Sequence, residues 1–197
     1  KANRKAEEEV MKLNEDNFCV TVLRFSSVYG SSPRMRFDIS VNSMVLERYR
    51  NQKIVVRGKN NSRPFIHIKD AVKSYQNIIN ASKNIISGQI FNVGSDEQNF
   101  KMRDIAENII KATGQKCDLE LGDTNDHRSY ITSFKKITNE LGFKSTYSIK
   151  DGANEIYNEL SSNQLDSSNK TITLEWYKHI MSDQILFNKL QMNDQIL

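Results

Sequence analysis

KIVVRGKNNSRPFIHIKDAVKSYQNIINASKNIISGQIFNVG (53–94) is the stretch that decides the fold class. KIVVRG (53–58) and PFIHI (64–68) are short runs rich in β-branched and aromatic residues, each read as a strand, with the polar turn KNNSR between them. Asp70 then opens a helix through about Ser82, in which Val72, Tyr75, Ile78 and Ile79 recur on one apolar stripe. GQIFNVG (88–94) returns to a strand and closes on glycine. Strand and helix alternate, and the pattern continues on both sides, so the class is α/β.

Working outward, residues 2–13 predict a helix, with Ala6, Val10 and Leu13 at helical spacing and a charged opposite face. CVTVLRF (19–25) suits a buried strand, SSVYGSSPR (26–34) is a loop rich in turn residues, and a helix follows from Asp38 to Tyr49 with Asp38 as its cap. Downstream, Asn99 caps the helix in FKMRDIAENIIKATG (100–114), which ends at Gly114 with Lys111 in its last turn. CDLELG (117–122) is a strand, and SFKKITNELGF (133–143) a short helix with Gly142 just past its end. SIKDGANEIYNEL (148–160) opens with Ser148 and Asp151 spaced as a capping box with a shorter acid. SSNQLDSSNKT (161–171) is a polar linker. Beyond it lies an amphipathic, helical tail whose Trp176, Tyr177, Ile180 and Leu186 are expected to cover a hydrophobic surface of this chain or of a second subunit.

The 197 residues are ample for a core, and no uninterrupted apolar run approaches the roughly 20 residues a membrane helix needs, so no membrane partner is expected. Lys+Arg 28 against Asp+Glu 24 gives a formal charge of +4, which permits anionic partners. Basic and aromatic residues are not interleaved in a stripe, so nucleic acid is not expected as a partner. Cys19 and Cys117 alone argue for a reducing compartment and against a disulfide scaffold or zinc site. His67, His127 and His179 make no metal-ligand spacing. Lys1 stands where a methionine would begin a chain, and KANRKAEEEVMKL is a helix already under way, so the sequence is expected to be the C-terminal part of something longer.

Four segments, in this order, resemble the C-terminal half of the extended short-chain dehydrogenase/reductase family, the nucleotide-sugar epimerases, dehydratases and reductases. They are VTVLRFSSVYGSSPR (20–34), GKNNSRPFIHIKDAV (58–72), GQIFNVGSDEQNFKMRDIAENI (88–109) and DHRSYITSFKKITNELGF (126–143). The resemblance implies the C-terminal part of a Rossmann-like doubly wound sheet plus a smaller α/β substrate-binding domain. Residues 1–35 would end the NAD(P)-binding domain. Residues 36–160 would be mostly substrate domain with returning Rossmann elements, and 161–197 linker and helical tail. It further implies NAD or NADP as cofactor, a nucleotide-sugar substrate, a cytoplasmic homodimer, and no metal. The glycine-rich dinucleotide fingerprint is not among the 197 residues.

A nucleotide sugar presents a diphosphate, which the planar, two-pronged guanidinium suits. By the resemblance, Arg63 is the diphosphate-binding arginine and Arg128 a second clamp; of Arg34 and Arg36, which flank Met35 after the strand-end loop, one is expected to approach the substrate, Arg36 being preferred, and the other to be a solvated charge. Val55 and Arg57 stand where the family packs side chains around the base; Arg57 departs from the apolar residue common there, and a stacked guanidinium could serve instead. Phe25, Ser26 and Ser27 follow the strand whose carboxyl end faces the nicotinamide. His67 is read as a structural strand histidine, and Tyr29 as a packing or lining residue.

The family's catalytic dyad is Tyr-x-x-x-Lys on one helix, the lysine lowering the tyrosine pKa so that the phenolate exchanges a proton with the sugar. Lys5 is the preferred lysine, with Glu9 one turn later, which puts Lys1 at the tyrosine's position. In the other alignment Lys1 is itself the lysine. Neither gives a complete dyad, so the isolated chain is expected to turn nothing over. A non-catalytic nucleotide-sugar-binding or assembly module is the alternative.

Overall fold

A computed structural model of the chain describes residues 2–114, 116–124, 128–192 and 195–196. In chain order the first elements are α1 (Ala2–Met11), β1 (Thr21–Phe25), β2 (Ser27–Tyr29), α2 (Ser40–Asn51), β3 (Lys53–Arg57) and β4 (Ser62–His67). Next come α3 (Ile68–Asn80), α4 (Lys83–Ile86), β5 (Gln89–Val93), β6 (Asn99–Lys101), α5 (Met102–Thr113) and β7 (Asp118–Gly122). Helices α6 (Lys135–Leu141), α7 (Ile149–Ser161), α8 (Thr173–Ser182) and α9 (Gln184–Leu190) follow.

The fold is mixed α/β with parallel pairings, as the alternation of strand and helix predicts. β1 lies parallel to β5, with Thr21 opposite Gln89 and Phe25 opposite Val93. β3 lies parallel to β7, so KIVVRG and PFIHI do not pair with each other as a hairpin. β4 runs between β2, parallel to it, and β6, antiparallel. Successive β4 residues point to opposite sides. Phe65 enters a core built from α2, β3, α5 and α7 around Val45, Ile54, Ile105 and Ile156. Ile66 enters a second core with Phe91, Val93, Phe134, Ile137 and Phe143.

Several local expectations hold in detail. Ser148 and Asp151 form the reciprocal capping box at the start of α7. Gly142 ends α6 at φ +62°, its N–H donating to the carbonyls of Ile137 and Thr138, where any Cβ would strain the turn. In the tail, Ile180 is buried, while Tyr177 stays exposed.

Others are corrected. SSVYG is not all loop: Ser27–Tyr29 is a short strand because β4 offers it a parallel edge, and Tyr29 is buried. Asp38 does not cap α2, whose cap is Ile39, because its carboxylate is taken by Arg36. Asn99 does not cap α5 but sits in β6, bonding Thr132 through both its side-chain groups and the Asp96 carbonyl through its amide. Asp70 lies inside α3, which starts at Ile68 with His67 as cap. Of the α3 stripe, Ile78 is half-buried and packs against the second core, while Val72, Tyr75 and Ile79 are exposed; the fully buried residues of α3 are Asp70, Ala71 and Ser74. α1 likewise buries none of its residues, and Arg24 of β1 ties to it through a two-pronged pair with Glu7. β1 is therefore half-buried rather than buried.

Candidate functional site

β3 presents Ile54 and Val56 to the core, so Lys53, Val55 and Arg57 lie on its other face. Arg57 is the last of these, at the strand's carboxyl end, where open α/β sheets place their ligands. The chain then turns sharply at Gly58, φ +72°. A Cβ there would meet Thr124 Cγ2 at 2.6 Å and Asn61 Nδ2 at 2.9 Å, so glycine both permits the turn and lets these two side chains close over it. The turn is held from both sides. Gly58 N–H donates to the Gly122 carbonyl at 3.0 Å, and the first amides of α5, Met102 and Arg103, donate to the carbonyls of Asn61 and Lys59.

β4 begins beyond the turn, and the segment 128–130 lies along its start. Tyr130 N–H donates to the Ser62 carbonyl at 3.0 Å and Ser62 N–H to Ser129 Oγ at 3.0 Å. Arg63 fastens the same segment, its Nη1 donating to the Arg128 carbonyl and, at 3.2 Å, to that of Ser62. Its guanidinium stacks over the Tyr130 ring, 5.1 Å from the centroid.

These elements enclose a polar cavity of about 460 Å³ lined by Ser27, Ser40, Arg57, Asn61, Arg63, Met102, Thr124, Arg128 and Tyr130. Three guanidinium groups line it, and no carboxylate does among the described residues. Nearby acids are held by lysines: Glu120 by Lys53 at 2.6 Å, Asp123 by Lys59 at 3.5 Å. The Lys53 hydrogen bond holds the Glu120 carboxyl below the usual carboxylate range, with Arg57 adding to the effect. Such a cavity takes an anion, and the arginine forks favour phosphate or carboxylate oxygens.

Four of the residues singled out in the sequence, Ser27, Arg57, Arg63 and Arg128, thus meet in one cavity although 101 positions separate the first from the last. The others do not line it. Val55 is half-buried in β3 and donates its N–H to Glu47. Arg36 lines a separate cavity of about 220 Å³ and is forked onto Asp38 at 2.9 and 3.1 Å. Ser26 turns inward, its hydroxyl donating to the Val93 carbonyl at 2.9 Å, and the Phe25 ring packs on Tyr75. Lys5 is exposed on α1, and Glu9 one turn on is paired with Lys12 instead. Lys1 and His127 lie outside the described residues. Sequence reasoning missed Asn61, Thr124 and Tyr130. The tyrosine's signal was its place two residues after Arg128; the other two gave none.

The buried His67 is a structural joint, as read. Its Nδ1 accepts from the Lys69 N–H at 3.3 Å, which leaves Nε2–H to donate to Glu155 at 2.9 Å. Burial lowers its pKa against the pull of Glu155, so the ring is neutral. Burial also drives the Tyr29 phenol far up, and its hydroxyl donates to Gln98 at 3.1 Å. Tyr29 is thus held as a buried, hydrogen-bonded phenol. Among the described residues no three His, Cys, Asp or Glu side chains gather as a metal site, and no helix is long and apolar enough to cross a membrane.

Comparison with known proteins agrees with this architecture. The model of the NAD dependent epimerase/dehydratase family matches residues 2–94. CDP-paratose 2-epimerase of Salmonella typhi is 26% identical over 155 residues, 72% of this chain and 44% of that protein. UDP-glucuronic acid 4-epimerase from Bacillus cereus, solved with UDP-glucuronic acid and NAD, superposes with a TM-score of 0.68 at 19% identity, over 82% of this chain and 52% of that one. RMD from Pseudomonas aeruginosa, complexed with NADPH, gives 0.67 at 19% identity, over 80% and 54%. dTDP-glucose 4,6-dehydratase from Bacillus anthracis, with NAD, gives 0.65 at 20%, over 81% and 50%. The chain spans about half the length of the relatives it matches. Residues 2–94 are thus similar to the NAD dependent epimerase/dehydratase family, and the fold shared with these solved structures continues well beyond them.

Proposed function

We propose that this chain supplies the substrate-binding half of an NAD(P)-dependent epimerase or dehydratase acting on a nucleotide-linked sugar. The observation that carries the reading is the meeting of Arg57, Arg63 and Arg128 with Ser27 around one polar cavity at the carboxyl end of β3. In this reading Arg63 and Arg128 hold the diphosphate. Arg63 also bonds the Arg128 carbonyl, so the backbone that carries the second arginine is held beside the first before the ligand arrives.

Residues 1–35 end the cofactor domain, 36–160 are mostly substrate domain with returning cofactor-domain elements, and 161–197 are linker and tail. For a nicotinamide cofactor the chain offers one edge of a site. Ser27, the first residue of β2, lines the cavity, while Phe25 ends β1 and Ser26 turns inward, pinned to Val93. This fits the border of a dinucleotide site whose phosphate-binding glycines are not in these residues. When bound, the nicotinamide exchanges a hydride with the sugar. Lys5 is the ammonium that would depress a partner tyrosine's pKa, and that tyrosine would move the sugar hydroxyl's proton. The whole protein works as a homodimer in the cytoplasm, and the 197 residues alone turn over no substrate.

The second reading, a non-catalytic nucleotide-sugar-binding module, is favoured by one observation, that position 1 is lysine where the Lys5 alignment calls for tyrosine. The test is to incubate the full-length protein with NAD or NADP and a panel of nucleotide sugars, following product sugars by NMR. Conversion of a member of the panel is expected. Binding without conversion would give the second reading, and neither binding nor conversion would overturn both.

A further inference from the structure

Residues 30–39 connect β2 to α2 and carry Arg34 and Arg36 to the cavity of about 220 Å³. Val28 and Ile39 line that cavity, and their neighbours Ser27 and Ser40 line the larger polar one, so the two lie side by side. Both limbs of the connection are held from outside. Asn42 accepts from Gly30 N–H at 3.1 Å and donates to the Arg36 carbonyl at 3.0 Å, and Phe37 N–H donates to the Thr171 carbonyl at 2.9 Å. Gly30, at φ +117°, passes so close to the His67 ring that a Cβ would meet Nε2 at 2.7 Å. Ser31 is taken by two acids one turn apart on α7, its N–H donating to Glu155 at 3.4 Å and its hydroxyl to Glu159. The Glu155 oxygen that accepts from Ser31 also accepts from His67 at 2.9 Å, and the other oxygen holds the Lys69 ammonium.

We propose that Glu155 is a positioning residue for ligand binding: by joining Ser31 to β4 and α3 it sets the β2–α2 connection, and with it the arginine that meets the substrate, before the ligand arrives. This rests on the nucleotide-sugar reading. The Glu155 side chain is only 19% exposed, and donors from three elements converge on its two oxygens, an arrangement that a shorter or apolar side chain cannot supply. A ligand that closes on a connection already set avoids the entropy of ordering those residues.

The experiment compares the full-length protein with its Glu155→Ala, Glu155→Gln and Lys69→Met variants. Amide deuterium exchange is read on each, with titration calorimetry against UDP-glucose, UDP-glucuronate, CDP-glucose, GDP-mannose and dTDP-glucose. In Glu155→Ala, exchange across 30–36 is expected to rise while that of β3 keeps the parent's rate, and affinity for the ligands the parent binds to fall about 5- to 10-fold. Glu155→Gln keeps a carbonyl oxygen for both Ser31 and His67 and should restore most of both readouts. Lys69→Met removes the ion pair, leaves those two bonds, and should move neither. Unchanged exchange at 30–36 in Glu155→Ala would overturn the inference and leave the nucleotide-sugar reading standing. So would faster exchange spread equally over β3, the mark of a general loss of stability, or an affinity within about twofold of the parent despite a loosened connection. A parent protein that binds none of these ligands would overturn the nucleotide-sugar reading, and the positioning role with it.

Discussion

Replacing Asp70 by alanine should release the segment that leads into α7. The carboxylate is completely buried as the third residue of α3. Oδ1 and Oδ2 accept from Thr146 N–H at 3.0 and 2.9 Å, and Oδ2 also accepts from Tyr147 N–H at 3.0 Å. Two backbone donors thus depend on one charged acceptor reached across 76 positions. A hydrogen bond to a charged group contributes about 1.5–3 kcal/mol, and the exposed Thr146 amide regains part of its loss from water, so Asp70→Ala should cost about 3–4 kcal/mol. The lost anion at the start of α3 adds a few tenths more. For a chain of this size that is a fall of roughly 10 °C in the thermal midpoint. Asp70→Asn, which keeps one acceptor, should cost about half as much. Amide exchange at 146 and 147 should rise in both variants. A shift below about 2 °C for Asp70→Ala, with exchange unchanged, would refute the assignment of this carboxylate as the tether.

His67 predicts an acid-side loss of stability. Burial lowers its folded pKa below the ordinary 6.5 or so, hence the unfolded chain binds the extra proton first. Its contribution is complete above about pH 6.5 and drains away as pH falls through the folded value. Thermal midpoints measured from pH 7.5 to 5 should fall, and His67→Gln should flatten that limb; an equal slope in the variant would contradict the assignment. Gly152, in α7, should resist alanine despite its helical position. A Cβ would meet Tyr29 Cε2 at 2.6 Å and the His67 ring at 3.0 Å, and Tyr29 is itself buried. Overpacking of about 1–3 kcal/mol outweighs the helix gain of up to about 1, so urea denaturation of Gly152→Ala should show a net loss, and a stabilised variant would show that the ring has room.

What could be read from the sequence was local or repeated. The β-branched runs at 53–58 and 88–94, the Ser148–Asp151 box and Gly142 after α6 each announce themselves within a few residues, and each is where it was read. The misreadings at Asp38, Asn99 and Asp70 share one cause. Each side chain is chemically able to cap the helix it precedes or opens, but a partner outside that helix holds it instead: Arg36 for the first, Thr132 for the second, the 146–147 amides for the third. SSVYG has the composition of a loop because its strand exists only through β4, whose paired residues lie 38 positions away. The α3 stripe was visible as a period, but a period gives a face and not what lies against it. At the cavity, Arg57, Arg63 and Arg128 were individually legible through the family resemblance. Their convergence required the parallel pairing of β3 with β7 and the bonding of 128–130 along the start of β4.

The most direct test of the nucleotide-sugar cavity is the affinity of the full-length protein for a nucleotide sugar before and after Arg63→Ala, by titration calorimetry. Arg63 would lose its charged hydrogen bonds to the diphosphate and its hold on the Arg128 carbonyl together, so binding should weaken by about 2–3 kcal/mol, roughly 30- to 150-fold. An affinity within about twofold of the parent, in a variant whose circular dichroism is unchanged, would place the diphosphate elsewhere and contradict the account.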